Sequence, residues 1–285
     1  MGILNDIQKS PSDKQIPIDQ VGVTELRYPI IVLDRLQEKQ STVAKLTASV
    51  SLPHHFKGTH MSRFIEVLNQ HRGEITMRTL PVILADMKNR LEAESARIEL
   101  QFPYFLERSA PISGEKGLMD YDCVFIGEAN GNEYDFIMKV RVPVASLCPC
   151  SKSISDYGAH NQRGNFDIEL RSSRKYDGEF NFIWIEEVIE IAEKSASGPV
   201  YPLLKRSDER HVTMHAYDNP VFVEDMVRNV AAILMEDDRV IWFRVRAENH
   251  ESIHNHNAFA LIERNKESCD TGRNDGGNFM TDIGR

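Results

Sequence analysis

Two successive runs of one element order, strand, strand, helix, helix, strand, strand, constrain this chain more than any other feature of its sequence. In the first run, alternation and β-branched content predict strands at Thr24 to Leu33 and Ser41 to Leu52. A helical apolar period then predicts helices at Met61 to His71 and Leu80 to Ala93. Strands at Arg97 to Glu107 and Tyr121 to Ala129 complete the run, and the hairpin-like Asn130-Gly131-Asn132 leads into a strand at Tyr134 to Val144. The second run continues with a strand near Asn165 to Arg171 and helices at Phe182 to Ser195 and Pro220 to Met235. Asn219 is the expected N-cap of the latter and Pro220 its first helical residue. Strands at Val240 to Glu248 and Asn257 to Glu263 close it. The pattern predicts an α+β fold of two tandem units, 20–131 and 132–265, each with two helices on one face of a four-stranded antiparallel sheet. The outer strands would present unpaired edges, which joining to other subunits covers.

A length of 285 residues suits two domains of ordinary size. The chain is 41% hydrophobic and 27% charged, as in soluble globular proteins, and no apolar run reaches the roughly 20 residues needed to cross a bilayer. Residues 1–20 lack periodicity and 266–285 are rich in turn formers, so both are expected to be flexible tails. The start, Met1 to Val21, lacks the apolar core of a signal peptide. With only four cysteines, this predicts free thiols in a reducing cytoplasm. A net charge of −9 argues against non-specific nucleic-acid binding, so any phosphate site must be a local basic pocket.

Reactive residues concentrate between Cys148 and His160. The segment leaves a strand at Val144 and runs through Pro149, Ser151, Ser153, Ser155 and Gly158, which predicts a loop. Cys148 and Cys150 straddle a proline, too close for the usual pair of ligands on one structural zinc. A single thiolate joined to His160 and a distant carboxylate would instead make a three-ligand site with an open water position. A small buried cysteine beside a hydrogen-bonded histidine suits the same spacing, and so does a nucleophilic thiol with His160 as its base. A non-enzymatic metal-stabilised assembly or purine binder stays open as well.

Three other clusters carry polar chemistry. At His54 to Phe64, Thr59 or Ser62 is positioned to cap a helix, while Lys57, His60 and Arg63 add positive charge near a terminus suited to anions. A solvated helix start has the same composition. In the charged connection Tyr201 to Arg210, Glu209 is a candidate carboxylate ligand. Glu224 lies in the first turn or so of the next helix, where a carboxylate also complements the helix dipole. Between Arg246 and Asn257, three histidines occur in seven positions, and a strand-end imidazole there suits general acid or base work near neutral pH.

Together, Pro-His-His-Phe-Lys-Gly-Thr-His-Met-Ser-Arg-Phe, Leu-Cys-Pro-Cys-Ser-Lys with Gly-Ala-His-Asn-Gln-Arg, Leu-Lys-Arg-Ser-Asp-Glu, Asp-Asn-Pro-Val-Phe-Val-Glu-Asp-Met-Val-Arg and Glu-Asn-His-Glu-Ser-Ile-His-Asn-His resemble type IB GTP cyclohydrolase I over residues 20–265. The resemblance implies two tunnelling-fold units per chain and a homotetramer with active sites at subunit interfaces. It implies opening of the guanine imidazole ring of GTP, loss of C8 as formate, and formation of 7,8-dihydroneopterin triphosphate for folate and related pterin pathways. It further implies a divalent ion, zinc or manganese, on Cys148, His160 and Glu209. Glu224 would anchor the guanine edge and His254 would transfer a proton. Lys57, His60 and Arg63, with Lys152 and Arg163, would receive the triphosphate.

Overall fold

A two-residue hairpin decides the architecture. The computed structural model describes residues 8, 10–35, 38–71, 75–76, 78–174 and 180–266. The chain forms β1 (Ile18–Asp34), β2 (Glu38–Leu52), α1 (Met61–Gln70), α2 (Leu80–Leu91), β3 (Ser95–Ser109), β4 (Lys116–Asn130) and β5 (Glu133–Leu147). It continues with α3 (Pro149–Ile154), β6 (Asn161–Ser172), α4 (Ile185–Lys194), β7 (Gly198–Pro199), α5 (Arg206–Asp218), α6 (Val223–Glu236), β8 (Val240–Asn249) and β9 (Ala258–Asn265). These strands make one nine-stranded sheet in the order β1-β2-β3-β4-β5-β6-β8-β9, antiparallel throughout, with β7 paired to β5. The expected α+β arrangement of two tandem tunnelling-fold units, each with its own four-stranded sheet, is thereby corrected. Only Gly131 and Asn132 separate β4 from β5, and Gly131 takes a φ of +53°, the left-handed region that such a tight turn requires. With no linker at the expected boundary, the last strand of the first run pairs directly with the first strand of the second, Cys123–Asn130 against Glu133–Val140.

Alternate residues of the central strands are buried, among them Ile98, Leu100 and Phe102 on β3, Phe136, Met138 and Val140 on β5, and Phe166 and Ile168 on β6. They pack with Phe64 and Leu68 of α1, Ile83 and Met87 of α2, Val188 and Ile189 of α4, and Met226 and Val230 of α6. Each such side chain contributes about 1.5–3 kcal/mol by leaving water. The intervening positions bear cross-strand ion pairs, including Arg97 with Glu128 and Arg171 with Asp135, both at 2.7 Å. The two runs also interlock through α4. Tyr104 on β3 donates its hydroxyl to Glu186 at 2.7 Å, and Arg108 on β3 pairs with Glu193 at 2.5 Å.

Several local expectations change. The Cys148–His160 segment contains α3, and the charged connection through Glu209 contains α5. Among its residues α5 buries only Asp208 and Ala216, so no apolar stripe announces it. Asn219 closes α5 as its C-cap, and α6 starts later, with Phe222 as N-cap. At α1 the N-cap is His60, in place of Thr59 or Ser62. Within the expected N-terminal tail, the carbonyls of Gln8 and Ser10 accept the N–H groups of Gly58 and Lys57, at 3.0 and 3.1 Å. Of the expected C-terminal tail only Lys266 is described; 267–285 lie outside the described residues. No helix among the described residues is long and apolar enough to cross a membrane.

The sheet has two distinct ends. The β1–β2, β3–β4, β5–β6 and β8–β9 connections lie at one, and the β4–β5 turn with the exit of β2 lies at the other.

Candidate active site

The β5–β6 connection begins where the ladder ends. Beyond the last pair, Leu147 with Asn161, the Cys148 N–H donates to the His160 carbonyl at 3.2 Å. Cys148 is the N-cap of α3, Pro149 is its first residue, and the Cys148 Sγ accepts the Ser151 N–H at 3.5 Å. Ser151 Oγ donates to the Cys148 carbonyl and accepts the His160 N–H, both at 3.2 Å. One serine thus holds the cysteine and histidine segments together. Cys150 is exposed and Cys148 half-buried, so the two thiols that spacing alone left equivalent differ in the fold. His160 Nδ1 lies 2.9 Å from Gln162 Oε1. Donation of Nδ1–H to that oxygen leaves Nε2 as the nitrogen with a free lone pair, the tautomer a metal ligand needs.

Two further segments converge on this corner. Leu147 donates its N–H to Ser197 Oγ at 2.9 Å, and its carbonyl accepts the Val221 N–H at 3.2 Å. The start of α6 is therefore fastened beside Cys148, and Glu224 is exposed in its first turn. From the other side, the β8–β9 connection is anchored by His250 N–H to the Arg163 carbonyl at 3.0 Å, and Ser252 Oγ lies 3.5 Å from His160 Nδ1. His254 and His256 follow, exposed, their rings stacked at 5.0 Å. Lys152 reaches the Tyr217 carbonyl at the end of α5, with its ammonium 4.2 Å from the centre of that tyrosine ring. Arg163 is exposed on β6 and borders a groove with Asp120, Asp122, Arg141 and Tyr201.

Glu209 is the outlier at this end. It is exposed in the first turn of α5, where the helix meets the β3–β4 connection, whereas the Cys148 segment is tied to the end of α5 by Lys152 at Tyr217. The neighbouring Asp208 makes that junction: it accepts the N–H groups of Ile112 and Ser113, both at 2.8 Å, and the Ser113 hydroxyl at 2.6 Å. Burial pushes the Asp208 carboxyl up, but the hydrogen bonds from Ser113, Lys205 and Ile112 outweigh it and hold the group well below the usual carboxylate range. Among the described residues, no three His, Cys, Asp or Glu side chains are grouped closely enough to hold a metal ion. The thiol of Cys148 and the Nε2 of His160 nevertheless fit a divalent ion by donor chemistry, with a carboxylate still to join them.

Lys57, His60 and Arg63 sit at the opposite end of the sheet, past the exit of β2. Arg63 turns to the end of α2, donating to the Arg90 carbonyl at 2.8 Å and lying 4.0 Å from Glu92. Along β5 the two ends are separated by fourteen steps, roughly 45 Å at strand rise. Sequence reasoning missed Gln162, Ser252, Ser197 and Asp208. Gln162 was in reach of it, lying two residues beyond His160 at the start of β6; the other three act only across the fold.

The profile described as type I GTP cyclohydrolase folE2 matches residues 4–260. A GTP cyclohydrolase FolE2 of Nitrosococcus oceani is 53% identical over 263 residues, covering 92% of this chain and 96% of that protein. That of Nitrosomonas eutropha is 54% identical over 262 residues with the same coverage, and that of Geobacter metallireducens is 50% identical over 267, covering 94% and 99%. The chain belongs to the type I GTP cyclohydrolase folE2 family. The folE2 match includes both sheet ends, hence every candidate site residue named above. By fold alone, this folE2-family chain is similar to a uricase from Bacillus fastidious, with a TM-score of 0.55 at 10% identity over 94% of this chain and 99% of that one. A hyper-thermostable uricase variant gives 0.51 at 8% identity, covering 93% and 94%.

Proposed function

We propose that this protein is a GTP cyclohydrolase I working at the sheet end that gathers Cys148, His160, Glu224 and His254. It hydrolyses GTP, releases C8 of the guanine as formate, and yields 7,8-dihydroneopterin triphosphate, the first step toward tetrahydrofolate and related pterins. The convergence of the β5–β6 connection, the start of α6 and the β8–β9 connection on one corner carries the reading.

A divalent ion, zinc or manganese, held by Cys148, His160 and Glu209, would supply a water activated near neutral pH, as in the metal-dependent type IB enzymes. The exposed Glu224 carboxylate accepts two hydrogen bonds from the amide and amine edge of guanine, a paired donor face that adenine lacks. His254 delivers a proton to the ring nitrogen as C8 is attacked, which a poor electrophile requires. Lys152 and Arg163 of the same chain meet the triphosphate. Lys57, His60 and Arg63 stand too far away to join them within one copy, which supports a homotetramer whose sites lie between subunits, the far-end cluster serving a neighbour. Free thiols suit a reducing cytoplasm.

Incubation with GTP and zinc or manganese is expected to release formate together with a pterin that fluoresces after oxidation. Absence of both products would overturn the reading.

A further inference from the structure

Asn249, the last residue of β8, is only 3% exposed. Its Nδ2 donates to Ser146 Oγ at 2.9 Å, and Ser146, near the end of β5, is 1% exposed. Since β6 lies between those strands, the contact bridges three strands, a span of about 10 Å between the outer two. It passes beside Gly164, which pairs with Val144 on β5 and with Asn249 on β8. A Cβ at Gly164 would stand 2.5 Å from Asn249 Oδ1 and 2.9 Å from the Glu248 carbonyl, so glycine leaves the space that the amide occupies. Asn249 Oδ1 is buried and has no hydrogen-bond partner among the described residues. One neutral buried hydrogen bond is worth about 1 kcal/mol, and an orphaned oxygen costs about as much, so the strap adds little net stability. An apolar side chain of similar shape would serve the core as well. What the strap supplies is position.

Three segments of the proposed site leave the sheet beside it. Cys148 is two residues beyond Ser146, His160 and Arg163 lead into Gly164, and the histidine-rich connection departs from Asn249. That connection is fastened in turn by His250 to the Arg163 carbonyl, and its Ser252 lies 3.5 Å from His160 Nδ1. We infer that Asn249, bonded to Ser146 across Gly164, is a positioning residue that sets the His254 connection against Cys148 and His160. The inference rests on the cyclohydrolase reading, because what it positions is the proton donor of that reaction. Loss of the strap lets the end of β8 shift relative to β5, and a displacement of about 1 Å at a reacting group costs up to a hundredfold in rate.

The test begins with the unmodified protein, whose failure to release formate from GTP would sink the cyclohydrolase reading and leave the strap to the structural measurement alone. Asn249→Leu and Ser146→Ala each leave one buried partner unsatisfied, so each is expected to lower the melting temperature by a few degrees while keeping the bound metal of the parent. Each lowers kcat about tenfold or more, with KM for GTP changed less than about twofold. Ser146→Thr, which keeps the hydroxyl, restores kcat, and the double variant Ser146→Ala/Asn249→Leu is no slower than the slower single one. Without metal or substrate, hydrogen exchange across residues 250–257 is faster in Asn249→Leu than in the parent. An unchanged kcat with unchanged exchange, or losses that multiply in the double variant, would overturn the inference. Should Asn249→Leu not fold, the Ser146→Ala and Ser146→Thr pair decides it by the same kcat and exchange measurements.

Discussion

The two runs of the chain meet the same sheet end with equivalent connections, and only one set bears the proposed chemistry. In the first run, β1 and β2 are joined by three residues, and the β3–β4 connection is clamped by Asp208 through three hydrogen bonds. In the second run, twelve residues follow Cys148 before β6, among them Pro149, Cys150, three serines and Gly158, and they include α3, while the β8–β9 connection leaves residues 252–257 exposed. The first run keeps its connections short or held by Asp208 of α5 from the second run, and acts as scaffold. The other keeps a half-buried thiol and several imidazoles within reach of solvent, which a site that exchanges substrate requires.

The contrast is most exposed to refutation at Cys148. Cys148→Ala is expected to bring formate release below detection and to lower metal content by elemental analysis, because one of three proposed protein ligands is lost. Full metal content with normal turnover would place the chemistry elsewhere. Glu224→Ala is expected to abolish measurable GTP binding in calorimetry while leaving metal content intact, since its proposed contact is with the base. Unchanged GTP affinity would remove Glu224 from the guanine pocket.

The scaffold side is tested through Asp208. Its carboxyl titrates below its ordinary 3.8 in the folded chain, so the stability that its charge confers is present above that value and is lost as pH falls toward the depressed one. Asp208→Asn should therefore lower the melting temperature by a constant amount at neutral and mildly acidic pH, and the gap should close on acidification below about 3.8. A gap that persists unaltered in acid would mean that the clamp acts by shape alone.

How legible this was depended on where the signal lay. The alternation of β3 to β6 and the apolar period of α1, α2 and α4 were readable because burial on one side imposes that period. α5 was invisible because Arg206 to Asp218 packs by hydrogen bonds and charge, with almost no apolar stripe. The division into two units failed at Gly131, where the same hairpin signal that was read correctly forbids the separation inferred from the repeat. Cys148, His160 and His254 were found as motifs, and the fold brings their segments to one corner. That Lys57, His60 and Arg63 stand at the other end depended on which end each strand leaves from, which residue types do not encode. Ser146 and Asn249, 103 positions apart, were beyond any local signal.

The smallest expected effect sharpens the same contrast between thiols. Cys123 belongs to the scaffold run, on β4, at 1% exposure, and burial, followed by the nearby charges of Asp122 and Glu186, pushes its thiol well above the ordinary range. A thiolate is the nucleophile toward alkylating reagents, so among the three cysteines of the described residues Cys123 should stay unmodified in the folded protein while exposed Cys150 reacts first and half-buried Cys148 next. Bound metal should protect Cys148 and leave Cys150 reactive, a difference that peptide mass mapping resolves. Cys123→Ala should cost about 1 kcal/mol of stability through the small cavity left behind, with formate release unaltered. If Cys123→Ala instead lowered turnover as Cys148→Ala is expected to, the division into scaffold and chemical runs would fail at its quietest residue.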